Sequence, residues 1–142
     1  MRGVALRAKE LRFAIELTPD GELREEHGVA LGTPPAWSAE HLLLAALVRC
    51  SLTSLGYHSR LVGLEVRPGT GRARTLVTKR ETDDRYAVVE ADVELEVEIE
   101  PEPAADGLAE LLALAERDCF IGSSLTAEPS YRWTVNGRTI DS

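Results

Sequence analysis

The sequence has little of what membrane, secreted or nucleic-acid-binding proteins require. Within its 142 residues there is no apolar run of the ~18 residues needed to cross a bilayer. Its first residues, "MRGVALRAKELRF", lack the apolar centre of a secretory signal. The net charge of −8 argues against general binding to nucleic acid or anionic membranes, since both need a basic surface. We therefore expect a cytoplasmic protein with neither kind of partner, in a compartment that keeps thiols reduced.

Cysteine is equally scarce, with one at position 50 and one at position 119. Neither has a second cysteine or a histidine two to four residues away, as a zinc site would require. The histidines form no ligand set by their spacing, and Trp37 and Trp133 are better explained as packing anchors than as a cofactor site. The sequence therefore predicts no metal and no cofactor.

The residues that are present favour one globular domain over 1–142. Hydrophobic residues make up 44% and charged residues 28% of the chain, which is ordinary for such a domain. Near the start, "ELRFAIELT" alternates like a strand, "PDG" signals a turn and "ELREE" returns as a second arm. The prolines of "GTPPAW" then predict a connector over 32–37.

The stretch "SAEHLLLAALVRCSLTSLGYHSR", residues 38–60, predicts a long helix. Ser38 suits the N-cap, and Glu40 lies in the first turn, where the helix dipole favours a carboxylate. At 100° per residue, both the face that carries Cys50 and the opposite face are mostly apolar. Because so small a domain can cover only one of these faces well, we expect a homodimer.

The second half of the chain predicts strands and a helix. Residues 72–100 suggest two long strands joined at "TDD", and the second alternates valine, leucine and isoleucine with glutamate. We interpret the glutamates as a solvated sheet face, offset by arginine and lysine on the first strand. A helix over 108–118 and a strand over 130–137, ending in an Asn-Gly turn, complete the order. That order indicates an α+β fold with antiparallel sheets.

Two segments resemble the OsmC/Ohr family. "SAEHLLLAALVRCSLTSL" is similar to the part of that family in which a carboxylate and an alanine-leucine run precede the peroxidatic cysteine, and the interval of ten from Glu40 to Cys50 matches. "AERDCFIGSSL" resembles the segment of the second cysteine, and "SYRWTVNG" resembles the strand that follows it. With the hairpin and paired strands in the same order, the resemblance covers most of the chain.

The resemblance implies an OsmC-like fold, an intertwined homodimer and a thiol peroxidase that reduces organic hydroperoxides in an antioxidant stress response. Cys50 would become a sulfenic acid, and Cys119 would resolve it to a disulfide. A thiol or a lipoyl-bearing protein would then reduce the disulfide. An apolar pocket lined by Leu43, Leu47 and Tyr57 would favour alkyl or lipid hydroperoxides.

The activation of Cys50 is the open question. Burial among apolar side chains raises the pKa of a thiol, so a cation has to lower it. The family places an arginine near the first hairpin, but the corresponding turn here, "TPDGEL", has none. Arg24 is the nearest basic residue, with Arg7 and Arg12 as further options. Glu40 lies roughly 15 Å from Cys50 along one helix, so it would act across a subunit interface or through an arginine.

Two alternatives stay open. Without the family match, a lone cysteine in an apolar helix is most often a core residue. The missing arginine supports a non-enzymatic OsmC-like protein that binds a small apolar ligand at the dimer interface. A thiol–disulfide exchange protein is a weaker reading, because the sequence has no C-x-x-C motif.

Overall fold

The computed structural model describes residues 8–32 and 36–141. The contacts between residues divide the chain into two compact units, 1–38 and 39–142. In the described residues, no helix is both long enough and apolar enough to cross a membrane.

The N-terminal unit contains a small antiparallel sheet. Its strands are β1 (Ile15–Leu17), β2 (Leu23–Glu25) and β3 (Ala30–Leu31), in that order across the sheet. The predicted hairpin is therefore confirmed, and Gly21 adopts the positive φ of +86° that its turn needs. Apolar side chains of this unit are exposed, Phe13 at 81% and Ile15 at 73%. The predicted connector 32–37 lies partly outside the described residues, at 33–35.

The larger unit begins with the long helix α1 (Ala39–Leu61), which starts directly after Ser38 as predicted. Strands β4 (Glu65–Val66) and β7 (Ile99–Glu100) form a short antiparallel pair. The remaining elements are β5 (Thr70–Lys79), β6 (Tyr86–Val97), α2 (Ala105–Arg117), α3 (Phe120–Ser123), β8 (Ser130–Val135) and β9 (Arg138–Asp141).

The main sheet has four strands in the order β5-β6-β8-β9. The outer neighbours pair antiparallel, whereas β6 and β8 run parallel, because α2 and α3 carry the chain back across the sheet between them. The predicted α+β class with antiparallel sheets is confirmed, and this one parallel pair is added to it. At the end of β8, Asn136 and Gly137 both have positive φ, as the predicted Asn-Gly turn requires.

The core forms between the helices and the inner face of β6 and β8. Along β6 every second residue from Ala91 to Val97 is buried, while Glu96 and Glu98 are exposed. Leu47 and Leu55 of α1 and Trp133 of β8 are wholly buried. Burying one such leucine contributes about 2–3 kcal/mol. The free energy gained by burying apolar side chains therefore favours packing of the apolar face of β6, and not its glutamate face, against the helices.

The outer face of the sheet carries paired charges, as the alternation predicts. Arg72 of β5 stands opposite Glu94, and Arg74 pairs with Asp92 at 3.5 Å. Towards the β5–β6 turn, Lys79 and Arg80 instead pair with aspartates of the turn, Asp84 and Asp83. Between Leu76 and Val77 of β5 the register skips Val89 of β6, which marks a β-bulge in β6 beside this edge strand.

Candidate active site

The site is built around Cys50, which lies near the middle of α1. The helix carries it as a half-buried side chain, with wholly buried Ser51 next in sequence. The thiol faces the junction between α2 and α3, because the backbone N–H groups of Ile121 and Phe120 point towards it. It is a free thiol in the structure.

Cys119 comes to the same point from the other end of the chain. It follows α2, caps the N-terminus of the short helix α3, and is wholly buried. Its Sγ accepts a hydrogen bond from the Gly122 N–H at 3.5 Å, and it is near enough to Cys50 to help raise the pKa of the Cys50 thiol. The structure therefore brings together the two cysteines that the sequence predicted to act as a pair.

The electrostatics of Cys50 follow from this environment. Burial raises the pKa of the Cys50 thiol above its usual value. The N–H groups of Ile121 and Phe120 oppose this rise, while the neighbouring Cys119 adds to it. The expected effect of burial is confirmed, so a peroxidatic Cys50 needs a cation.

Two buried hydroxyl groups complete the cluster, and neither was predicted from the sequence. Ser51 Oγ lies 3.6 Å from Cys119 Sγ and 2.9 Å from the Tyr131 hydroxyl. Tyr131 is buried on β8, and its ring stacks on Trp133 with centroids 5.7 Å apart. The only available signals were a serine beside a cysteine and the inward alternation of Tyr131 with Trp133.

A second polar group fixes the segment before Cys119. Asp118 accepts hydrogen bonds from Arg117, and its Oδ2 lies 2.8 Å from Nε2 of His58 on α1. Arg117, and secondarily His58, lower the pKa of Asp118 from 3.8 to about 2. The contact between His58 and Asp118 links the last turns of α1 to the end of α2.

The two predicted charged residues, Glu40 and Arg24, belong to different units of the chain. Glu40 is in the first turn of α1, and since that helix runs without a break, it stands roughly 15 Å along the axis from Cys50. Arg24 belongs to β2 of the N-terminal unit, where its Nε pairs with Glu22. Arg12 pairs with Glu10, and Arg7 is outside the described residues. The roles of Glu40 and Arg24 stay predictions.

The three predicted pocket residues differ in exposure. Leu47 is wholly buried in the core, Leu43 is half-buried and Tyr57 is 54% exposed. The substrate pocket also stays a prediction.

A candidate set of metal-binding side chains in the described residues, Glu25, Glu26 and His27, lies on the N-terminal unit. Glu25 and His27 already bond to each other at 2.9 Å.

Comparison with known proteins identifies the family. The family model described as "OsmC-like protein" matches residues 32–134. Because this match covers well over half of the chain, the protein belongs to the OsmC-like family. No curated protein matches the sequence.

Solved structures agree on the fold. An OsmC-like protein of unknown function from Vibrio cholerae has a TM-score of 0.68 at 18% identity, over 80% of this chain and 82% of that one. An organic hydroperoxide resistance protein from Elizabethkingia anophelis, with thiocyanate bound, has a TM-score of 0.62 at 16% identity, over 93% and 100%. The organic hydroperoxide resistance protein OhrB of Bacillus subtilis has a TM-score of 0.53 at 16% identity, over 88% and 96%. At these identities the likeness concerns the fold.

Proposed function

We propose that this protein is a thiol peroxidase that reduces organic hydroperoxides, with Cys50 as nucleophile and Cys119 as resolving thiol. The observation that carries the proposal is the pair of free, neighbouring thiols that α1 and the α2–α3 junction bring together. Membership of a family that includes organic hydroperoxide resistance proteins supports the choice of substrate.

The reaction has two steps on the protein. The Cys50 thiolate attacks one peroxide oxygen, the O–O bond breaks, and the alkoxide takes a proton to leave as an alcohol, so that Cys50 becomes a sulfenic acid. The thiol of Cys119 then attacks the Cys50 sulfur, the S–S bond forms, and the S–O bond breaks with loss of water. An external thiol or a lipoyl-bearing protein reduces the disulfide by exchange.

Activation of Cys50 requires a cation, since burial raises its pKa. We assign this role to Arg24. In this proposal the Glu40 carboxylate orients the Arg24 guanidinium, because a guanidinium and a carboxylate can pair through two parallel hydrogen bonds. The distance along α1 puts Glu40 out of reach of its own Cys50, so in this proposal it serves the site of a second subunit.

The rest of the proposal concerns the assembly and its setting. The protein works as an intertwined homodimer in the cytoplasm, as a stress-response antioxidant, and residues 1–142 act as a single OsmC-like domain. Exposed apolar side chains on the N-terminal unit, such as Phe13 and Ile15, support burial against a partner. Leu43, Leu47 and Tyr57 line the apolar pocket that selects alkyl or lipid hydroperoxides.

A second candidate function is a non-enzymatic OsmC-like protein that binds a small apolar ligand at the dimer interface. The raised pKa of Cys50 favours this candidate, because a thiol that stays protonated at neutral pH is a poor nucleophile.

Peroxide consumption decides between the two functions. With cumene hydroperoxide and dithiothreitol, we expect rapid turnover by the natural protein and none by Cys50→Ser. The matched variant Cys119→Ser should still consume about one equivalent rapidly but form no intramolecular disulfide. Equal and slow consumption by the natural protein and Cys50→Ser would leave the binding function as the better account.

A further inference from the structure

The second thiol has polar surroundings that the proposed reaction does not yet explain. Ser51 Oγ lies 3.6 Å from Cys119 Sγ and 2.9 Å from the hydroxyl of Tyr131, and the nearby Cys119 adds to the raised pKa of Tyr131. Both hydroxyl-bearing residues are buried, Tyr131 at 5% exposure and Ser51 at 0%. Buried hydroxyl groups are costly unless they are hydrogen-bonded, so the arrangement around the sulfur is specific.

The single hydroxyl hydrogen of Ser51 gives the Ser51–Tyr131 pair two possible hydrogen-bonding arrangements. Ser51 has one hydroxyl hydrogen but two acceptors, the Leu47 carbonyl at 2.8 Å and Cys119 Sγ. While Cys119 is a thiol, Tyr131 donates to Ser51 and Ser51 donates to Leu47, which satisfies both hydroxyls. When Cys119 loses its proton, rotation about the C–O bond of Ser51 turns its hydrogen from Leu47 to the sulfur, while Tyr131 still donates to Ser51, and no heavier atom moves.

Other charges next to the pair do not favour an anion at Cys119. Glu116 of α2 accepts the Trp133 indole N–H at 2.9 Å, and its charge adds to the raised pKa of Tyr131. Asp118 is a carboxylate held by Arg117 and by His58 of α1. Since ionised carboxylates donate no hydrogen bond, the donors that reach the sulfur are uncharged, namely the Gly122 N–H and the Ser51 hydroxyl.

We propose that Ser51 and Tyr131 act as a pair of hydroxyl donors that stabilises the Cys119 thiolate while it attacks oxidised Cys50. This inference rests on the proposed peroxidase function. As the thiolate attacks, the S–S bond forms, the S–O bond of the Cys50 sulfenic acid breaks, and the departing hydroxide takes up the proton that Cys119 released, giving water. Tyr131 keeps its own proton throughout, because burial raises its pKa.

The first test measures the protonation of Cys119 directly. In a Cys50→Ser background one cysteine remains, so its isotope-labelled β-carbon gives a single NMR signal that can be followed against pH. Tyr131→Phe removes one hydroxyl and keeps the ring stacked on Trp133, and Ser51→Ala removes the other. Loss of a hydrogen bond to a charged group should move the transition about one pH unit higher, a roughly tenfold smaller thiolate fraction at a given pH.

Two matched controls separate this effect from a general disturbance. Ser54→Ala removes a buried hydroxyl from the same helix, but that hydroxyl bonds to the Ala115 carbonyl at 2.8 Å. Tyr86→Phe removes the hydroxyl of a tyrosine that is 72% exposed on β6. Neither control should move the transition. If Tyr131→Phe does not fold, Ser51→Ala carries the test alone.

A second measurement connects the donors to the reaction. In the chain with both cysteines, one equivalent of cumene hydroperoxide should give mainly disulfide in the parent, and more Cys50 sulfinic acid in Tyr131→Phe and Ser51→Ala, because slower resolution leaves the sulfenic acid exposed to further oxidation. If the pH midpoint of the Cys119 NMR transition is unchanged in both variants, the inference is overturned, whatever products the reaction with hydroperoxide gives. Failure of the proposed function has another signature, a parent Cys50 that is not oxidised while the Cys119 transition still shifts.

Discussion

Oxidation of the cysteine pair should make the protein markedly more resistant to unfolding. A Cys50–Cys119 disulfide would close a loop of about 70 residues, and chain-entropy arithmetic for such a loop gives about 4 kcal/mol of stabilisation. The two thiols are already neighbours in the folded protein, so we expect little strain to be subtracted from this value.

Urea unfolding is the suitable assay. With a slope of about 2 kcal/mol/M, the unfolding midpoint should rise by roughly 2 M after treatment with one equivalent of organic hydroperoxide. Reduced and oxidised samples have to be compared at one protein concentration, because association of subunits also shifts apparent stability. Mass spectrometry of a non-reduced digest confirms the linked peptide, and Cys119→Ser supplies the control that should gain nothing.

Two results would refute this reasoning. A linked Cys50–Cys119 peptide with an unchanged or lower urea midpoint would mean that bond formation distorts the fold around α3, and that the paired thiols are not arranged for a disulfide. Recovery of both cysteines as free thiols, or of sulfinic acid without any linked peptide, would mean that the pair does not react as proposed.

Three further predictions concern the assembly and its pH dependence. Light scattering at micromolar concentration should give twice the chain mass of 15.5 kDa, and a stable folded monomer would argue against a homodimer. Mixed dimers of a Glu40→Gln chain and a Cys50→Ser chain should recover roughly half the activity of the natural protein if sites form across the interface, and none if Glu40 serves its own chain. Because Arg117 lowers the pKa of Asp118 to about 2, the stability that this carboxylate contributes is complete above about pH 4 and is lost as the pH falls towards 2. In Asp118→Asn, the free energy of unfolding should therefore fall less steeply between about pH 4 and pH 2. A fall as steep as that of the natural protein would contradict the stabilising role of Asp118.

The elements with strong local patterns were predictable from the sequence. Helix α1 followed from an apolar periodicity behind Ser38, and β6 from strict alternation that sorts valine inwards and glutamate outwards. The pairing of Cys50 with Cys119 was predicted from a family resemblance, because spacing alone does not say that two residues so far apart in sequence will meet.

What the sequence could not reveal depends on tertiary contacts. The parallel pairing of β6 with β8 is set by how α2 and α3 cross the sheet, and strand composition carries little information about direction. The meeting of Ser51 with Tyr131 needs the same crossover, since each looks like an ordinary buried residue in its own element. Strand β9 was missed because it is a short edge strand after a turn.

The β-bulge that β6 forms opposite Leu76 and Val77 of β5 has a consequence for aggregation. In the described structure β5 is an edge strand of the main sheet, and a long apolar edge is a template on which another chain can add a strand. Its exposed apolar pair, Leu76 and Val77, stands where the register shifts, so the backbone is bent at the point most open to such pairing. Arg72 and Arg74 towards one end and Lys79 at the other add charge along the same edge. Straightening the bulge by deleting Val89 of β6 should turn a protected edge into a site where misfolded chains stack.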